Sequence, residues 1–264
     1  MAKTKKKHGC LYTFLILSVV FIVVMIGLII MVQRALNVFG MSVSQFKEYM
    51  KILNRSVNES AIATDPVTPA DYTRFYEKAT ASGFGIFDEH GNVDITLTSI
   101  PIDSDLTLTG YEVAAMLNNG FSSNSNYELL KVLQFTITAR NNSYYVKTVL
   151  KINLSPIKKA IGELSGDLPN SIYLICESTA SASNETYKTP RLILTDSNLH
   201  INQLTEEENK EIVGLLNKMT EGAKGNLNFS NLSDKIISDV ISDIAMSANC
   251  YITLDAGTLT FNKN

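Results

Sequence analysis

Apolar residues follow three different periods along this chain. From Leu11 to Val32 they are continuous: the 22 residues carry no charge, and only Thr13, Ser18 and Gly27 fall outside the hydrophobic class. As a helix the run is about 33 Å long, enough to cross a hydrocarbon core of about 30 Å. It predicts a transmembrane helix over 11–32. From Ser44 to Val57 the period becomes helical, with Phe46, Met50 and Leu53 spaced by four and three and Tyr49 beside them. That stripe covers about two heptads, which suits a stalk better than a coiled coil. Ala63–Pro69, with Pro66 and Pro69, reads as a linker. A short helix is expected over 70–80, ended by Gly83.

Beyond Phe84 the period shortens to two. Ile86–Ile95 places a polar His90-Gly91-Asn92 centre between apolar arms, a hairpin signal. Leu133–Ile137 and Tyr144–Ile152 alternate around Arg140–Ser143 and predict a second hairpin. Ser171–Ser178 with Tyr187–Leu194 is a third, and Tyr251–Leu254 with Thr258–Phe261, turned at Asp255–Gly257, is a fourth. Four such hairpins imply a largely antiparallel sheet with one buried face.

Helices are announced between these strands by their caps. Thr109-Gly-Tyr-Glu112 and Thr205-Glu-Glu-Glu208 are capping boxes. Ser155-Pro156 reads as an N-cap with proline at the first helical position, opening a helix over 157–164. Ser233 is expected to cap the last helix, with Ile236, Ile237, Val240, Ile241, Ile244 and Ala245 on one face and Asp234, Asp239 and Asp243 on the other. Leu106–Asn118 and Leu204–Asn217 share a Leu-Thr entry, an early Glu and a Leu-Asn exit, which suggests two related halves.

The expected fold class is therefore α+β: an N-terminal transmembrane helix, then a curved antiparallel sheet of hairpins packed on amphipathic helices. Its divisions are a basic tail over 1–10, the span over 11–32, a helical stalk and linker over 33–82 and an exported domain over 83–264.

Charge orients the span. Lys3, Lys5, Lys6 and Lys7 precede it, while Arg34 is the nearest charge after it until Lys47. The positive-inside rule keeps the amino terminus cytoplasmic and exports the rest. The run is too long for the apolar region of a cleaved signal and lacks a small-x-small site after it. The expected location is the cell membrane, single-pass, with the bilayer contacted through Leu11–Val32. Setting those four lysines aside from the 23 basic residues leaves 19 against 26 acidic ones, about −7 for the exported part. That sign argues against nucleic acid as a partner. The mean hydropathy of +0.07, high for a soluble chain, is accounted for by the span alone.

The order of elements resembles membrane-anchored bacterial envelope proteins of unknown function, some with tubular lipid-binding (TULIP-like) domains. The resemblance rests on the helix after Leu106-Thr107, the hairpin Phe135–Lys151, the Leu-Pro-x-x-Ile-Tyr segment Leu168–Tyr173, the Ile201–Glu208 helix start and the closing hairpin. It implies a long curved sheet wrapped around a helix and enclosing an apolar groove. Ile236, Val240 and Ile244 would then line the groove, with Phe135, Ile137 and Leu150 opposite, and a lipid or acyl chain would be the ligand.

Candidate chemistry is otherwise sparse. Gly83-Phe-Gly85 lacks the third glycine of a dinucleotide loop. A serine triad would have to use His90, at an expected turn tip, or His200, in an alternating strand. No Cys-x-x-Cys pair or clustered histidine suggests a metal, and no cofactor is expected. Cys176 and Cys250 are open to two readings, an exported disulfide or two buried apolar thiols. Asn-x-Ser/Thr sequons, among them Asn153 inside an expected strand, read as accidents of an Asn-rich chain. The functional expectation is a non-enzymatic extracytoplasmic protein that binds a lipid in a sheet/helix groove. The alternative is an envelope scaffold or protein-interaction module with a closed core, contacting a partner protein.

Overall fold

The computed structural model describes residues 43–124, 129–161, 168–184, 189–220 and 231–264. The expected span Leu11–Val32 and the tail before it lie outside the described residues, as does the end of the helix expected to 164. Among the described residues no helix is long and apolar enough to cross a membrane. The fold is α+β with antiparallel sheets. In chain order its first elements are α1 Val43–Leu53, α2 Glu59–Ile62, α3 Pro69–Ala81, β1 Leu106–Thr109, α4 Gly110–Ser122, β2 Leu130–Arg140 and β3 Ser143–Asn153. Then come α5 Ser155–Ile161, β4 Ser171–Ser183, β5 Arg191–Ile201, α6 Glu206–Thr220, α7 Leu232–Ser247, β6 Cys250–Asp255 and β7 Thr258–Lys263.

Two compact units emerge. One takes the chain up to Arg55 together with Leu154–Asn170 and contains α1 and α5. In α1 the stripe positions Met50 and Leu53 are buried. Helix α5 begins at Ser155 itself, and Lys158 Nζ donates 2.7 Å to the Leu168 carbonyl. The other unit holds Ser56–Asn153 and Ser171–Asn264. The stretch 56–82, read as stalk and linker, belongs to this body: Phe75 and Ala79 of α3 are fully buried. The Asp71 carboxylate accepts from the Thr68 N–H (2.7 Å) and hydroxyl (2.6 Å), closing a capping box at the start of α3.

The larger unit divides its hairpins between two sheets instead of forming one. Strands β2-β3-β4-β5 make an antiparallel meander, and β1-β7-β6 make a three-stranded sheet. Leu106–Thr109, expected as a helix entry, pairs with β7 from Leu106↔Phe261 to Thr109↔Thr258. Thr109 then serves twice, ending β1 and capping α4, where Glu112 Oε2 accepts from its N–H at 2.7 Å. The hairpin expected over 86–95 is a turn with one bridge, Phe87↔Val93. There Asp88 Oδ1 accepts from the N–H groups of His90 (2.9 Å) and Asn92 (2.8 Å), local bonds that compete with strand pairing.

Helix α4 packs on β2 and α3 on α4, while α7 lies across β5 and β4. A Cβ at Gly110 would fall 2.2 Å from the Phe135 carbonyl oxygen, so only glycine lets α4 start this close to β2. The opposite face of the meander carries a second apolar cluster of Leu133, Val149 and Tyr173 with Ile62 and Ala63 of the α2 region. Glu59 fastens that cover, accepting 2.6 Å contacts from both Lys151 Nζ and the Tyr173 hydroxyl.

Side-chain amides close the sheet edges. Asn118 of α4 bonds Val132 of β2 twice, donating to its carbonyl (2.8 Å) and accepting from its N–H (2.7 Å). Asn209 of α6 does the same along β5, to the Leu199 carbonyl (2.8 Å) and the Ile201 N–H (2.9 Å). Asn184, just past β4, bonds both the N–H (3.0 Å) and the carbonyl (2.8 Å) of Ile252 on β6. Each amide occupies the place of a further strand, which keeps another chain from pairing there. The resemblance between the two capped helices stops at their caps: Asn118 lies past the middle of α4, whereas Asn209 comes from the first turn of α6.

Candidate functional site

The layer beneath α7 is where the sequence expectation and the structure part most. Helix α7 begins at Leu232 with Asn231 at the N-cap, so Ser233 lies inside the first turn and caps nothing. Asp234, expected on the solvent face, is 2% exposed. Asp239 does lie toward solvent, paired with Lys235 at 2.8 Å. The hydroxyls of Ser178 on β4 and Ser197 on β5 both donate short bonds to Asp234 Oδ2. Among the described residues, Asp234 Oδ1 and Thr148 Oγ1 have no conventional hydrogen-bond partner, and the Ser233 hydroxyl meets the Cys176 thiol. The Cys176 thiol reaches the same carboxyl as a weak donor. Burial pushes the Asp234 carboxyl above its usual range against the lowering effect of the two serines. Burial, and then the nearby Asp234 charge, push the Cys176 thiol up to about 12.

A β-bulge builds this layer. Glu177 pairs with Asn198 and Thr179 with Thr195, so Asp196 is the extra residue of β5. It sits at φ 54, in the left-handed region that Asp tolerates better than most residues. Ser178 and Ser197 therefore stay opposite one another beneath α7. Past the bulge the alternation flips, so Leu192 turns inward at 3% exposure and Ile193 outward at 36%. Ser242 of α7 then accepts from the Leu192 N–H at 3.1 Å and holds the helix over the strand edge.

All six residues assigned to the expected groove are buried: Ile236, Val240 and Ile244 on α7, and Phe135, Ile137 and Leu150 on β2 and β3. Phe135 and Ile137 lie on the strand that α4 covers, whereas α7 packs chiefly on β5, so the two sets belong to neighbouring parts of one core. Cys176 and Cys250 are unbridged and buried, and burial raises the Cys250 thiol to about 11. His90 lies in the exposed turn after Asp88 and His200 on β5 opposite Ile175, so the histidines are not brought together. Among the described residues, no group of three or more His, Cys, Asp or Glu side chains is placed to hold a metal ion.

An open cleft lies elsewhere in this unit, with a volume of about 430 Å³. One wall is the start of β3 and the far end of β4, with Tyr144, Thr179, Ala180, Ser181 and Ala182; the other is Ile252–Leu254 of β6. None of its lining residues is charged, and none belongs to the six expected groove positions. Sequence reading missed it because its walls come from three strands, with Ile252 about 70 residues beyond Ala182 of β4 and about 110 beyond Tyr144 of β3. The missed Asp234 did leave a signal: it stands three residues before Ile237 and seven before Ile241, on the apolar stripe itself.

No protein-family model matches the chain, and neither a curated protein nor a solved structure matches it.

Proposed function

We propose that this is a non-enzymatic, single-pass membrane protein with a cytoplasmic amino terminus and an extracytoplasmic domain that binds a partner protein in the cell envelope. Leu11–Val32 is its anchor, and the sheet with its covering helix is read as a TULIP-like plan. The observation that carries the reading is the closed layer under α7: Ile236, Val240 and Ile244 are at most 3% exposed, and Ser178 and Ser197 bond Asp234 across it. Uptake of an acyl chain at these positions would require α7 to part from β4 and β5 and break those bonds. A closed core supports an interaction module over a lipid carrier, because such a module works through its surface.

The test uses the full chain in lipid nanodiscs and a photoactivatable fatty acid. The expected result is labelling confined to Leu11–Val32 and its flanks. Stoichiometric labelling of Ile236, Val240 or Phe135 would sink the reading and restore the acyl groove. Protease added to intact cells should meanwhile digest the chain beyond the span and spare the amino-terminal tail; protection of the domain would place it on the wrong side of the membrane.

A further inference from the structure

The edge of β6 is closed at one step and open at the next. Both the N–H and the carbonyl of Ile252 face away from β7 and are taken by Asn184. In an antiparallel pair the outward-facing groups recur every second residue. Leu254, paired with Leu259 as Ile252 is with Phe261, therefore turns its own N–H and carbonyl outward. Among the described residues nothing bonds either group, and Leu254 lines the cleft. Among the described residues the other edges are bonded at some steps, and the Leu194 step of β5 is open as well; what sets Leu254 apart is the cleft beside it. Asn118, the Val67 N–H (2.9 Å to the Leu133 carbonyl) and the Gly257 N–H (3.1 Å to the Ile137 carbonyl) meet β2. Asn209 and Ser242 meet β5, and Lys78 Nζ reaches the Thr107 carbonyl of β1 at 3.3 Å.

We infer that the cleft beside Leu254 is a docking site for an extended, uncharged segment of a partner protein, which adds a strand to the open step of β6. This rests on the reading of the domain as an interaction module. Three observations select the occupant. Asn184 already sits on this edge as a peptide-like amide, so its geometry accepts backbone groups. The lining of Tyr144, Ala180, Ser181, Ala182 and Thr253 carries no charge to attract an acidic or basic ligand. The edge also faces the β3–β4 wall across the cleft, so an extended segment lying there meets side chains from both sides. Strand addition draws affinity from main-chain bonds and selectivity from alternate side chains, here those set against Tyr144 and Ala182.

The test is a selection of random nonapeptides on display against the full chain in nanodiscs, followed by hydrogen exchange and an N-methyl scan of the selected peptides. The expected result is slowed exchange of the Leu254 amide and a weakening of about tenfold or more when the peptide N–H facing Leu254 is methylated. Methylation one residue to either side should leave affinity within about twofold, since those groups face away. Ala182→Trp, which fills the cleft from a side chain, should abolish binding; the scan itself needs no protein variant. Selected peptides that protect another surface would overturn the site while leaving the interaction module standing. A selection without binders, protection of the cleft by soluble amino-sugar oligomers without slowing of Leu254, or self-association relieved by Ala182→Trp would each overturn the inference. Labelling of the core by the fatty acid probe would instead overturn the reading beneath it.

Discussion

The Ser178 hydroxyl of β4 donates a short hydrogen bond to the Asp234 carboxylate of α7, across a layer in which both residues are about 2% exposed. A carboxyl held there binds its proton more tightly in the folded chain than in the unfolded one. By linkage the folded state then gains stability below the unfolded carboxyl pKa of about 3.9 and loses it as pH rises through the folded value. Asp234→Asn removes the charge and keeps the shape. It should raise stability at pH 8 by about 1 kcal/mol or more and leave it little changed at pH 4. Calorimetric Tm values at the two pH values check this, and an equal effect at both would mean that Asp234 is not the titrating group.

Glu59 should show the opposite sign. Lys151 first, then the Tyr173 hydroxyl, hold its carboxyl below the usual range. Its contribution is present above the unfolded carboxylate pKa and is lost as pH falls through the folded one. The Lys151 and Glu59 side chains are 26% and 46% exposed, so Glu59→Gln should cost no more than about 1 kcal/mol, and less in high salt. Urea titrations at pH 7 and pH 3 should show a difference from the parent chain only at the higher pH.

Asn118→Ala strips both bonds from Val132, a residue with no exposed surface. Leaving its N–H and carbonyl unpaired should cost about 1–3 kcal/mol and open the β2 edge to another chain. The expected outcome is a lower urea midpoint together with concentration-dependent light scattering. Asn118→Asp keeps the acceptor for the Val132 N–H and should fall between the two. An alanine variant as stable as the parent would show that water replaces the amide.

Cys176 and Cys250 should resist thiol reagents. Their pKa values near 12 and 11 leave almost no thiolate at neutral pH, and both side chains are buried. Peptide mapping after iodoacetamide at pH 7.5 should find neither modified in the folded chain and both modified in urea without reductant. A disulfide-linked peptide pair in the non-reduced map would overturn the separate-thiol arrangement.

The elements legible from sequence were those whose signal is local. The Thr109/Glu112 and Thr205/Glu208 boxes each close within one turn, and the β2–β3 hairpin turns at Asn141-Asn142, both at positive φ. The misreadings share one cause. Leu106–Thr109 is too short to declare a period, and pairing with β7, about 150 residues onward, makes it a strand. Ile86–Ile95 has the right pattern, but Asp88 gives its backbone nearer partners than a facing strand would.

The sequence by itself determined the apolar span and its lysine flank, the α+β class and the antiparallel hairpins, because each rests on spacing between neighbours. Only the tertiary structure decided that Asp234 faces inward, since the hydroxyls that receive it come from two other strands and are aligned by the bulge at Asp196. It alone decided the division into two sheets, the closing of their edges by Asn118, Asn209 and Asn184, and the step left open at Leu254. An edge is the absence of a neighbour, and a neighbour is set by the path of the whole chain.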